Sequence, residues 1–135
     1  MGKFKEYDRN TPYLIPPSVE EWLPCGHIAY FVVDIVERLD LTEIKKCYSY
    51  SGSKAYAPEV LIGLLFYGYI TGVYSSRRIE TATYESLAFR HIAANQHPDH
   101  DTIANFRAKY LEQLKDVFLQ ILVIAGEVGV KKIGK

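Results

Sequence analysis

From Ile28 onward the apolar residues fall at Ile28, Phe31, Val32, Ile35, Val36 and Leu39, with Asp34, Glu37 and Arg38 between them. Steps of three and four place the apolar set on one stripe of an amphipathic helix. Thr42 is set to cap a short helix carrying Ile44 and Tyr48. Pro58 suits the first position of another helix, where its missing N–H removes no bond. Behind it Val60, Leu61, Ile62, Leu64, Leu65, Phe66 and Tyr67 are apolar almost all round, the pattern of a buried central helix. Gly63 and Gly68 allow close packing against it, and Gly72 is placed to end it. Ser75 or Ser76 starts the next helix, a second short one covers Glu85 to Ile92, and Asn95 to Pro98 form a turn. Asp99 or Asp101 then caps a stretch in which Ile103, Phe106, Tyr110, Leu114, Val117, Ile121, Ala125 and Val128 stay in phase. That phase predicts one long helix of about 25 residues, weakened toward its end by Gly126 and Gly129.

No window alternates with period two for long enough to need a strand, and no internal repeat is visible. The expected fold is therefore all-α: a multi-helix domain with a buried central helix, a helix-turn-helix-like unit and a long C-terminal helix. Residues 1–17 read as a polar arm ending in Ile15-Pro16-Pro17, and residues 18–135 as a single helical domain. Ser18 can cap a short helix through Trp22 and Leu23, stopped by Pro24, and Ser51-Gly52-Ser53 reads as a loop.

Composition narrows the functional classes. The 135 residues are 48% hydrophobic and 24% charged, the balance of a folded domain rather than a disordered chain. Sixteen basic and sixteen acidic residues give zero formal net charge, which excludes a histone-like polycation but not a local basic face. The charge is uneven: Glu20, Glu21, Asp34, Glu37, Asp40 and Glu43 stand against Arg38 alone over residues 20–44. The start of the chain has no apolar stretch of signal-peptide type, and the run from Val60 to Val73 falls short of the roughly 20 residues a membrane span needs. Cys25 and Cys47 form no CxxC and lack the density of a disulfide scaffold. A reduced cytoplasmic protein without a membrane partner is expected. The 11 tyrosines suit wet cores and interfaces.

The chemistry-bearing residues do not form a self-sufficient active site. His91, His97, His100 and Asp101 lie close in sequence, and His97-x-x-His100 has a plausible ligand spacing. Two of these histidines flank a proline turn, and no second cluster completes a tetrahedral set. A metal-dependent enzyme built on them is a third-ranked reading, and no metal site is assigned. Asp99 and Asp101 form a possible carboxylate pair, but both suit a helix N-terminus, where their charge is favourable. Neither cysteine sits in a nucleophile motif, and no GxSxG, HExxH, GxGxxG or P-loop occurs. No catalytic residue and no cofactor is assigned to this chain.

Nucleic acid is better supported. Residues 75–110 follow the plan of a helix-turn-helix unit. If the last helix buries Ile103, Phe106 and Tyr110, then Thr102, Asn105, Lys109 and Arg107 face outward. Asn reads adenine and Arg reads guanine in the major groove, while Lys holds phosphate. Arg77 and Arg78 join this candidate DNA-binding set. Arg107 also has a structural alternative, turning inward to pair with Glu80. Against the whole set, Asp99 and Asp101 put negative charge where the reading helix would enter a groove.

Four segments carry a resemblance: Ala55-Tyr56-Ala57-Pro58, Leu65-Phe66-Tyr67-Gly68-Tyr69, Ser75-Ser76-Arg77-Arg78-Ile79-Glu80, and the run from His97-Pro98-Asp99-His100-Asp101-Thr102-Ile103 to Ala104-Asn105-Phe106-Arg107. In this order and spacing the chain resembles the N-terminal domain of bacterial transposases of the insertion-sequence-five superfamily, from about Ile15 onward. The resemblance implies binding of double-stranded DNA at a terminal inverted repeat, and assembly as a homodimer or against a catalytic domain. In such transposases an RNase H-like domain with an acidic DDE triad follows and holds two divalent metals. That domain is expected to be absent from this chain, so whether the chain is an enzyme stays open and divalent metal is expected only with the missing domain. A helical protein-interaction module, or a remnant regulator of a transposase, is the alternative. Its support is the apolar stretch from Val117 to Ile124, which one side of a solvated helix cannot easily accommodate.

Overall fold

The computed structural model describes residues 4–7, 23–24, 26–48 and 55–133, with side chains as far as Gly126. The proposed helix from Ser18, most of the polar arm, Cys25 and the 51–53 loop lie outside the described residues. Among them the chain is all-α: α1 (Ile28–Glu37), α2 (Thr42–Lys46), α3 (Pro58–Thr71), α4 (Ser76–Glu85), α5 (Leu87–Ile92), α6 (His100–Lys109) and α7 (Leu111–Ile133). The one β-type pairing described is an isolated parallel bridge between Phe4 and Ala55.

The organising element is α3. Pro58 occupies its first turn, and every residue from Val60 to Gly68 is buried, so α1, α4, α5 and α6 all pack around it. Two glycines set how close these neighbours come. A Cβ on Gly63 would lie 2.9 Å from Ile92 Cγ2, and one on Gly68 would run into the carbonyl oxygen of Val73. Gly72 closes the helix at φ +82°, a left-handed conformation that glycine adopts without strain.

Around α3 the smaller helices each bury one side against the core. α1 buries Ala29, Val32, Ile35 and Val36. Ile28, expected on that stripe, is 43% exposed because it sits at the first position, where the helix has not yet reached the core. α2 begins at Thr42 rather than being capped by it, and Asp40 accepts hydrogen bonds from both the amide and the hydroxyl of Thr42. Tyr48 lies beyond the end of α2, with its ring edge-on to Phe4 and stacked on Tyr110. α4 buries Ile79 and Thr83, four residues apart, with Ala82 partly buried beside them. Ser86 separates α4 from α5, so the second short helix starts at Leu87, not at Glu85.

The single long C-terminal helix does not form. It divides at Tyr110, whose φ −110° and ψ 26° leave the helical region, into α6 and α7. The apolar phase survives the break. Ile103, Phe106, Tyr110, Leu114, Val117 and Ile121 are all buried, and the bonds Tyr110 N–H to Phe106 O and Leu114 N–H to Tyr110 O carry the register across it. Tyr110 is held in place by ring contacts with Tyr48 at 5.9 Å and Phe106 at 5.0 Å. α7 then runs through Gly126 and on to Ile133. No helix among the described residues is long and apolar enough to cross a membrane.

Candidate nucleic-acid interface

The unit from Ser75 to Tyr110 is built by three side-chain caps. Ser75 accepts from Arg78 N–H, Ser86 from Phe89 N–H, and Asp99 from Thr102 N–H at 2.9 Å. Each satisfies one of the amides a helix start leaves without a partner. Asp99 is thus the cap, and Asp101 stands exposed in the first turn.

α6 is fastened to α4 at two points. Glu80 Oε1 accepts from the backbone N–H of His100 at 3.0 Å and lies 2.8 Å from its Nδ1. That hydrogen bond holds the Glu80 carboxyl below its ordinary range. Arg107 Nη1 donates to the carbonyl of Tyr74 at 3.0 Å. The expected Arg107–Glu80 pair is therefore not formed. Glu80 faces the beginning of α6 and is taken by His100, whereas Arg107 lies two turns further on and meets the segment before α4. Low numbers on one helix face high numbers on the other, so α4 and α6 run antiparallel.

Beneath this pair Thr83 is completely buried. Its hydroxyl donates to Glu80 O at 2.7 Å, which leaves the oxygen to accept from His97 Nδ1 at 3.0 Å. The His97 ring stacks on Tyr84 at 3.9 Å, nearly parallel. Desolvation, and then the charge of Arg90, push its pKa down. The histidines named in the sequence do not converge: His91 lies edge-on to Tyr30, His97 is held by Thr83 and His100 by Glu80. Among the described residues no group of three or more His, Cys, Asp or Glu side chains is arranged to hold a metal ion.

The six candidate DNA contacts divide among three surfaces. Thr102, Asn105 and Lys109 share one face of α6 and line a groove of about 400 Å³ with Lys5 and Tyr56. Lys5 is positioned by its backbone N–H on Ala55 O, and its Nζ lies 4.2 Å from the Tyr56 ring centroid. Lys109 Nζ lies 5.4 Å from the Tyr110 ring. Two ammonium groups, the Asn105 amide, the Thr102 hydroxyl and three tyrosines thus line the groove, with no carboxylate among the described residues of its walls. Arg107 opens instead on a separate apolar cavity, and Arg77 and Arg78 on a groove along α4 that also includes Glu85. The antiparallel crossing nonetheless brings the arginines of α4's first turn to the end of the pair that holds Arg107 and Lys109. Asp99 and Asp101 occupy the opposite end, at the start of α6. Lys5 and Tyr56 are the functional candidates that the α6 pattern alone does not reveal.

The chain is thus an all-helical domain whose acidic and basic groups separate along one helix pair, with an Asn/Lys-lined groove beside it. Its sequence defines the family directly. Residues 17–109 match the transposase domain family DUF772, and the chain belongs to that family. The match ends at the last residue of α6, so the whole of α7 lies beyond it. No curated protein and no solved structure matches the chain.

Proposed function

We propose that this domain binds double-stranded DNA at the terminal inverted repeat of a mobile element and takes part in assembling a transposase. The observation that supports the reading most is the groove in which Asn105 and Lys109 stand beside Lys5 and Tyr56, with no carboxylate among the described residues that line it. The finer placement, in the insertion-sequence-five superfamily with a DDE catalytic domain, rests on the run from His97 to Arg107 and belongs to the same proposal. DNA transposition in the cytoplasm is the setting. Because Glu80, Asp99 and Asp101 make the start of α6 negative, the C-terminal half of the helix approaches the duplex. This differs from the common arrangement in which a recognition helix enters the groove by its N-terminal residues.

Labelled duplex carrying the terminal repeat should bind at low salt and be released as salt rises, because phosphate contacts free counterions. Asn105→Ala should cost roughly 1–3 kcal/mol and relax preference at one base position. Lys109→Ala should weaken all sequences alike and flatten the salt slope by about one unit. Absence of binding to the correct repeat at every salt concentration would refute the proposal.

A second role, protein interaction, is supported by the exposed apolar face of α7. Leu119, Leu122 and Val123 are 61%, 62% and 61% exposed. Such a patch favours burial against a second copy or a catalytic domain. Light scattering tests the homodimer: Leu122→Glu should shift it toward monomer, and a monomeric parent at high concentration would exclude it.

A further inference from the structure

We infer that the cavity between α3, the start of α4 and α7 accepts an unstacked nucleobase of single-stranded or opened DNA, with Tyr69 and Tyr74 as the stacking rings and Arg107 and Lys115 beside the flanking phosphates. This rests on the reading of the chain as a DNA-binding domain but concerns a different surface from the α6 groove.

The cavity measures about 190 Å³, and its lining is apolar apart from Arg107 and Lys115. Its inner wall includes Ile79 and Leu114, both buried. Tyr69 and Tyr74 stand at it 64% and 62% exposed. Their centroids are 6.4 Å apart with ring planes inclined at 52°, a tilted pair whose outer faces stay open to solvent. Phe118 lies 6.5 Å from Tyr69 on the inner side. Two large ring faces left open by the domain's own packing suit a flat aromatic occupant better than an aliphatic one.

Charge selects the same ligand. Among the described residues no carboxylate lines the cavity itself, and that of Glu112 lies outside its lining, beside Lys115. Arg107 is steered to it by the bond to Tyr74 O, which uses one guanidinium N–H and leaves four others. Lys115 pairs with Glu112 at 3.3 Å, with both side chains well exposed, a pair weak enough for a phosphate to displace. Val73 forms part of both this cavity and the neighbouring groove of Arg77 and Arg78, so cationic side chains continue from the cavity onto the first turn of α4, with Glu85 only at the far end of that helix. Exposed rings next to a cationic track are the combination that binds single strands with little sequence preference.

Fluorescence anisotropy with labelled oligothymidine, and with a duplex of equal length, tests the inference. Tyr69→Ala and Tyr74→Ala should each weaken oligothymidine binding about tenfold. Tyr74→Phe should restore it, and duplex affinity should hold within about twofold. Both positions are largely solvent-exposed, and circular dichroism verifies that the variants fold. Oligothymidine binding that is unchanged in both alanine variants overturns the inference. Duplex binding without oligothymidine binding also overturns it while leaving the proposed function intact. Failure to bind either DNA removes both. An acidic, leucine-rich peptide that binds the parent and loses affinity in both variants, with oligothymidine unaffected, would assign the cavity to a protein partner instead.

Discussion

The sharpest test of the packing is a single added methyl group on α3. Gly68→Ala places a Cβ against the carbonyl oxygen of Val73, with Ile79 Cδ1 at 3.4 Å and Cγ1 at 3.6 Å. The Val73 carbonyl cannot simply back away. Its residue is tied down by Val73 N–H to Gly68 O at 2.8 Å, and the chain is turned there by Gly72. Overpacking typically costs about 1–3 kcal/mol, and a clash with a tethered backbone oxygen falls in the upper part of that range, about 2–3 kcal/mol. Alanine regains about 1 kcal/mol over glycine in a helix, so a net loss of about 1–2 kcal/mol is expected. At about 3–5 °C per kcal/mol for a domain of this size, Tm should fall by roughly 3–10 °C. Gly126→Ala is the matched control: nothing lies within 4 Å of its added Cβ, and the residue is helical. It should stabilise by up to about 1 kcal/mol. Thermal melts followed by circular dichroism compare the two. If Gly68→Ala melts at or above the parent, the close approach of the α3–α4 loop is wrong. The position of the Tyr74 carbonyl that steers Arg107 would then be wrong with it.

Two further outcomes follow from the α4–α6 pair. Because the folded pKa of His97 is depressed, the unfolded chain binds more protons as pH drops below the free histidine value of about 6.5. Stability is therefore full above that pH and is lost as pH falls through the folded value; urea midpoints at pH 7.5 and 5.5 should show the decline, and His97→Gln should reduce it. Arg107 and Glu80 have different partners, so the Tm losses of Arg107→Ala and Glu80→Gln should add in the double mutant; a double-mutant loss well short of the sum would show that the two groups pair in solution.

Helices were legible wherever burial alone decides the pattern. Pro58 and Gly72 bound α3 as read, because one removes a donor where none is needed and the other takes a positive φ. Of the two candidates read at each start, Ser75 rather than Ser76 and Asp99 rather than Asp101 are the caps, since each is the short acceptor just ahead of the first helical residue. The break at Tyr110 was hidden for a physical reason. The spacing Phe106–Tyr110–Leu114 stays at four residues on either side of it, so hydrophobic phase is blind to a one-residue departure from helical dihedrals. What opens the chain there is the packing of the Tyr110 ring between Tyr48 and Phe106, and Tyr48 is 62 residues away in sequence.

The candidate site divides along the same line between local and long-range information. Thr102, Asn105 and Lys109 could be read because they are what remains on α6 once Ile103, Phe106 and Tyr110 are buried. Lys5 and Tyr56 could not, since a single bridge between Phe4 and Ala55 brings those segments together and leaves no alternating pattern behind. The partner of Arg107 was misassigned because periodicity fixes which face of a helix is buried but not the direction in which it crosses its neighbour. From Ser76 to Glu80 the chain advances about 6 Å along the α4 axis, with Tyr74 two residues before it, and from His100 to Arg107 it advances about 10.5 Å along α6, at roughly 1.5 Å per helical residue. Glu80 meets His100 and Tyr74 meets Arg107 only if the two axes run oppositely. That one choice of direction also separates the charge, gathering Arg77, Arg78, Arg107 and Lys109 at one end and Asp99 and Asp101 at the other. Zero net charge is therefore compatible with a strongly basic end, and it is the crossing of α4 and α6, rather than composition, that creates it.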